Sequence, residues 1–264
     1  CEKLINSGKK IQAIGINSGN ANACTGEKGY ENAVECAKLL AYSLNINEES
    51  VLVTSTGVIG VYLPMDVMRK GIVETAKTIS SDRDSAIDCA MAIMTTDTCK
   101  KEIAFEFEIG GKTCRMGGIA KGSGMIHPNM ATMLVFVTSD VAITPAALNA
   151  ALKEDVQNSF NMISVDGDTS TNDMVAIMAN GRAGNEEITE DGEDFAAFMC
   201  ALNTVTVWLC RALVGDGEGA TRLLECRVTG AADTKTARTV AKSVICSSLC
   251  KAAMFGADAN WGRV

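Results

Sequence analysis

The stretch EIAFEFEI at 102–109 alternates strictly, with Ile103, Phe105, Phe107 and Ile109 on one face of an extended chain and acidic residues on the other. A period of two marks a strand with one dry and one wet face. The glycine pair at 110–111 then turns the chain back into KTCRMGGI, which gives a half-buried hairpin. Further on, DFAAFMCALNTVTVWLCRALV at 194–214 is apolar over many turns and predicts a long helix.

Strands and helices alternate in blocks along the rest of the chain. IQAIGIN at 11–17 predicts a buried strand, followed by the small-residue loop SGNANACTG and a helix from near Gly29 with Ala33, Ala37, Leu40 and Leu44 on one face. VLVTST is a second strand running into GVIG, and 66–79 and 83–94 predict helices, each with an acid in the first turn. MLVFVTSDVAI, MVAIMANG and RLLECRVTG predict strands, Pro145 starts a helix, and 234–250 predicts a closing helix. With no low-complexity linker or repeat, this is an α/β chain with helices layered over sheets.

With 264 residues the chain suits one large or two ordinary domains. A formal charge of −8 argues against a nucleic-acid backbone or an anionic membrane as partner. The eleven cysteines are odd in number and scattered through apolar segments, the pattern of reduced core thiols in a cytoplasmic protein. Cys246 and Cys250 would share a helix face, but no C-x-x-C pair or nearby histidine supports a metal, and none is expected. No apolar run reaches the roughly eighteen residues of a membrane helix, and no basic stretch followed by an apolar one opens the chain, so an exported or membrane protein is not expected.

The segment AKGSGMIHPNMATML at 120–134 bears on chemistry. A cut between Ala131 and Thr132 would leave a hydroxyl and a free α-amine on Thr132, and that amine can act as the hydroxyl's own base. Its reference pKa of about 7.7–8.0 suits neutral pH better than lysine near 10.4. His127 is the one histidine and there is no G-x-S-x-G elbow, so a Ser-His-Asp triad is a poor fit. The same residues also fit a plainer description in which Ala-Thr opens the strand MLVFV and the glycines shape a turn. Asp166, Asp168 and Asp173 lie in SVDGDTSTND, which lacks the twelve-residue spacing of a calcium loop and suits polar turns.

Five blocks, namely NSGNANACTG at 17–26, TSTGVIG at 54–60, the segment at 120–134, SVDGDTSTND at 164–173 and DGEGATR at 216–222, resemble in order the bifunctional ornithine acetyltransferase / N-acetylglutamate synthase family of arginine biosynthesis. The resemblance covers the family's central part, with a segment expected to be missing at each end. It implies an α/β/β/α sandwich, truncated at both ends, and a precursor that cuts itself between Ala131 and Thr132 into an α-chain-like part, 1–131, and a β-chain-like part, 132–264. It implies Thr132 as nucleophile, Thr56 and Gly57 as the oxyanion-stabilising pair, and Thr95, Lys121, Thr132 and Glu218 as substrate-binding positions. Glu218 would face the amino group of the substrate. Asn20 and Asn22 would shape or line the site.

What the resemblance implies in function is acetyl transfer from N2-acetylornithine to glutamate through acetyl-Thr132, in a cytoplasmic assembly of two α and two β chains with no bound cofactor. Some members of that family also take acetyl-CoA as donor, and nothing in the sequence separates the two types. One departure is Arg222, where the family more usually has lysine; charge is kept and donor geometry changes. Two rival expectations remain: a hydrolase like the self-processing aminopeptidases, which favour serine at the nucleophile, and a truncated fragment that binds ligand without turnover.

Overall fold

The computed structural model describes residues 2–6, 8–126, 133–189 and 192–264. By packing, the chain divides into two compact units, Cys1–Thr95 and Thr96–Val264. This boundary is one of contacts, whereas the division at 131/132 concerns a peptide bond outside the described residues.

The first unit runs α1 (Glu2–Asn6), β1 (Ala13–Asn17), α2 (Gly26–Leu44), β2 (Val51–Ser55), α3 (Met65–Lys77) and α4 (Arg83–Ala92). β1 and β2 pair in parallel from Ala13↔Val51 to Asn17↔Ser55. A parallel pair cannot be joined by a tight turn, and α2 supplies the crossover. Leu40, Ala41 and Val51 form the small core there, with Ala37 and Leu44 of the expected stripe packed against it. The helix starts at Gly26, a turn earlier than the sequence suggests, and ends where Asn45 takes a left-handed conformation (φ 53°). β1 is half-buried along its whole length rather than buried.

The second unit is built on a four-stranded sheet in the order β3-β4-β5-β6. β3 (Lys101–Ile109) and β4 (Lys112–Lys121) form the hairpin, turning through Gly110 and Gly111 with φ of 56° and 72°. β5 (Leu134–Ser139) pairs antiparallel to β4, α5 (Pro145–Asn158) follows, and β6 (Met174–Ala179) pairs parallel to β5. α6 (Glu193–Gly215) lies over β3 and β4 and presses Phe198, Leu202, Val205, Leu209 and Leu213 onto them, all fully buried. Ile103, Phe105 and Phe107 pack against this core and Ile109 belongs to it, so the alternating face is the one covered. By length and hydropathy alone α6 could cross a membrane; here its apolar stripe is satisfied by the sheet.

Three expectations change. RLLECRVTG keeps a period-two exposure, with Leu224, Cys226 and Val228 half-buried between exposed neighbours, but forms no strand among the described residues. A ladder needs a second strand, and alternation alone cannot supply one. The closing helix is two helices, α7 (Thr234–Ile245) and α8 (Ser248–Phe255), because the Ser247 hydroxyl accepts the Cys250 N–H (3.3 Å) and starts a new helix. Cys246 and Cys250 therefore do not share one helix face.

The ten described cysteines are free, and only Cys36, Cys114, Cys210 and Cys250 are buried, fewer than the composition suggested. Among the described residues no group of three or more His, Cys, Asp or Glu side chains is arranged to hold a metal. The chain is thus mixed α/β with helices over sheets, consistent with the expected sandwich class.

Candidate active site

In the first unit, Thr56 and Gly57 follow the end of β2 and are pressed against the loop after β1. The Thr56 N–H donates to the Asn17 carbonyl (3.0 Å), Val58 N–H to Gly19 (3.2 Å) and Ala21 N–H to Val58 (2.9 Å). Thr56 is buried. Gly57 has φ of 128°, and a Cβ there would lie 2.3 Å from the Gly19 carbonyl carbon, so no other residue fits without moving backbone. Asn20 and Asn22 shape the loop: Asn20 Nδ2 donates to the Val61 and Tyr62 carbonyls (both 3.2 Å), and Asn22 Nδ2 to the Gly29 carbonyl (2.9 Å). Thr95, exposed, closes this unit.

In the second unit, Lys121 ends β4 and is buried. Burial pulls its ammonium below the ordinary lysine value; Asp97 pushes it back up, Lys101 adds to the lowering, and Asp173 and Glu218 favour the charged form. Glu218 is exposed but anchored: its N–H donates to the Ser123 carbonyl (2.7 Å), and its Oε1 accepts the Thr96 hydroxyl (2.7 Å), itself 2.6 Å from Ser123 Oγ. Gly124 leaves room for the carboxylate, since a Cβ at that position would stand 2.6 Å from Glu218 Oε1. Gly124 of AKGSG thus admits this side chain.

Behind these residues sits a buried ion triad. Lys101 Nζ donates to Asp97 Oδ1 and to Asp216 Oδ2, each at 2.6 Å, with side-chain exposures of 1%, 0% and 7% for Lys101, Asp97 and Asp216. Asp97 Oδ1 also accepts the Gly122 N–H (2.7 Å), and Asp216 accepts the Thr98 N–H (3.0 Å) and the Thr98 hydroxyl. Burial works to raise the Asp216 pKa, but the Lys101 and Thr98 bonds outweigh it and hold the carboxyl below its usual value.

Asp173 is the remaining acid. Its Oδ1 accepts the Met133 N–H (2.8 Å), while its Oδ2 is buried with no hydrogen-bond partner among the described residues. Burial pushes its pKa up to about 6, against the Met133 bond and the Lys121 charge. Asp166 serves the turn, accepting the N–H groups of Met125, Ile126 (3.0 Å) and Asp168 (3.0 Å).

Ala131 and Thr132, the expected cleavage pair and nucleophile, lie outside the described residues. Lys121 and Glu218 fall in one unit and share surroundings. Thr96, Ser123 and the Lys101 triad were not singled out by the sequence. The adjacent threonines of MTTDT gave no signal for choosing Thr96, and a lysine and two aspartates dispersed over 97–216 look like surface residues.

The ArgJ family model matches residues 1–264. The chain belongs to the ArgJ family. Relatives named "Arginine biosynthesis bifunctional protein ArgJ" include one from Symbiobacterium thermophilum, 55% identical over 97% of this chain and 63% of that protein. The corresponding "ArgJ 1" of Clostridium acetobutylicum is 53% identical over 97% of this chain and 62% of that protein. The chain therefore spans a little under two thirds of the length of these ArgJ relatives. Among solved structures, ArgJ of Bacillus halodurans is 45% identical with a TM-score of 0.46, covering 49% of this chain and 67% of that one. Ornithine acetyltransferase of Mycobacterium tuberculosis, complexed with ornithine, is 31% identical with a TM-score of 0.42, covering 48% and 66%.

Proposed function

We propose that this chain, as part of the complete protein, carries acetyl transfer from N2-acetylornithine to glutamate. The observation that carries the reading is the pairing in one unit of a buried Lys121 with an anchored Glu218 carboxylate, a cation and an anion suited to an amino acid with charge at both ends. Membership of the ArgJ family supports it.

Thr132 Oγ first attacks the Ala131 carbonyl, shifting the acyl group from N to O, and water then cleaves the ester, leaving Ala131 as carboxylate and Thr132 with a free amine. In transfer, that amine takes the hydroxyl proton as Oγ attacks the acetyl carbonyl. The C–N bond breaks, the proton passes to the departing amine, ornithine leaves, and acetyl-Thr132 remains. The glutamate amine attacks the ester, loses its proton to the Thr132 amine and departs acetylated as Thr132 Oγ is reprotonated.

Each attack places negative charge on the former carbonyl oxygen. The Thr56 N–H is already given to Asn17, so this residue's contribution would come from its hydroxyl beside the Gly57 N–H. Lys121 would hold a substrate carboxylate and Glu218 its side-chain ammonium, with Thr95 as a further contact. Acetyl-CoA is an alternative donor, the assembly is two α and two β chains, and the setting is the cytoplasm.

The test is the intact mass of the full-length protein, followed by incubation with N2-acetylornithine with and without glutamate. Two pieces meeting at 131/132, loss of cleavage and transfer in Thr132→Val, and N-acetylglutamate formed only with acceptor present are the expected results. Ornithine release without glutamate would instead indicate a hydrolase; an uncleaved, inert full-length chain would leave only a binding role.

A further inference from the structure

Lys121 and Glu218 are far apart in sequence, yet a short chain of polar contacts ties them within the second unit. From Lys121 it passes to the Gly122 N–H, to Asp97 Oδ1 (2.7 Å), to Lys101 Nζ (2.6 Å), to Asp216 Oδ2 (2.6 Å), and through Gly217 to Glu218. Thr98 on Asp216 and Thr96 on Glu218 fasten the same loop to the segment that leads into β3. A buried lysine held between two buried carboxylates has little freedom to shift, because each lost contact would leave a charge without a partner away from water.

We propose that Lys101, through Asp97 and Asp216, is a positioning residue that fixes the separation of the Lys121 ammonium from the Glu218 carboxylate, and so selects diamino-acid substrates by length. This rests on the substrate-binding roles given to Lys121 and Glu218 above. A ligand with a carboxylate at one end and an ammonium at the other satisfies both partners only if its methylene count matches a fixed span. If the triad loosens, Glu218 can follow a longer or shorter ligand and discrimination falls. A purely structural role would lower the amount of active protein and reduce turnover of every ligand alike.

The experiment compares kcat/KM for N2-acetylornithine with that for the homologues one methylene longer (N2-acetyllysine) and one shorter (N2-acetyl-2,4-diaminobutyrate), in the full-length protein and in Asp216→Asn. One methylene is commonly discriminated by about 10- to 200-fold, and the variant is expected to shrink that ratio by at least about fivefold. An unchanged ratio in a folded Asp216→Asn overturns the proposal, as does a wild-type protein that accepts all three lengths equally. Should Asp216→Asn fail to fold, Thr98→Val keeps every charge of the triad and removes one hydroxyl contact at an exposed residue. It is expected to shrink the ratio by about threefold, and no change there has the same overturning force. A wild-type protein that does not turn over N2-acetylornithine at all would instead sink the proposed function.

Discussion

A methyl group placed on Gly124 would stand 2.6 Å from Oε1 of Glu218, and the obstacle it meets is the far end of a flexible side chain. Gly124→Ala is therefore expected to fold with a melting temperature within a few degrees of wild type while turning the carboxylate away. KM for N2-acetylornithine should rise by about tenfold or more, the size of losing one charge-assisted contact. Melting curves beside steady-state kinetics check this; a lost fold with unchanged KM in the residual active protein would contradict it.

Gly57 is the opposite case. An added Cβ meets the backbone of Gly19 and Asn20 at 2.3–2.7 Å in a left-handed conformation, so the two loops would have to separate. Gly57→Ala should cost more than about 2 kcal/mol, whereas Gly60→Ala, also at positive φ (77°) but with open space around it, should cost about 1 kcal/mol. Urea titration of both variants gives the comparison, and equal losses would show that the contact with Gly19 is unimportant.

Asp173 should make stability depend on pH in an unusual direction. Its folded pKa of about 6 lies above the unfolded value of about 3.9, so folding favours the protonated acid. Its contribution is most favourable below about pH 4, fades as pH rises toward 6, and is a full penalty above that. Asp173→Asn retains an acceptor for Met133 and removes the charge. It should stabilise the fold at about pH 7.5 but not at pH 4. The gain should be about 1 kcal/mol, less than the pKa displacement alone would give because the side chain is only partly buried. A variant equally stable relative to wild type at both pH values would remove the proposed cause.

Leu209 lies fully buried in the α6 stripe over the hairpin. Leu209→Ala should lose about 2–5 kcal/mol by denaturant unfolding, with a cavity left between helix and sheet. A loss under 1 kcal/mol would mean that α6 is not what covers that face.

The hairpin and α6 were legible because a period of two and a long apolar run are local signals that burial has no reason to override. The strand expected at 222–230 was not, since its side-chain pattern is present while the pairing depends on another segment altogether. The polar site divides in the same way. Motif resemblance pointed to Thr95, Lys121 and Glu218 as substrate positions, but it carried no sign that the hydroxyl bound to Glu218 belongs to Thr96. Lys101 was invisible because it precedes an alternating run whose charged residues are wet, and only the fold reveals that this one charge is enclosed by Asp97 and Asp216.

Lys101 pairs across the hairpin with Ala120, next to the turn whose Gly122 N–H shares Asp97 with it. Sliding β3 past β4 by one residue would turn the ammonium toward the opposite side of the ribbon and strand two carboxylates, a cost of several kcal/mol. The enclosed charges thus sharpen an alignment that the apolar face sets only in steps of two: a two-residue slip would keep Ile103, Phe105 and Phe107 on the covered side, but a lysine that must meet two aspartates at once rejects it too.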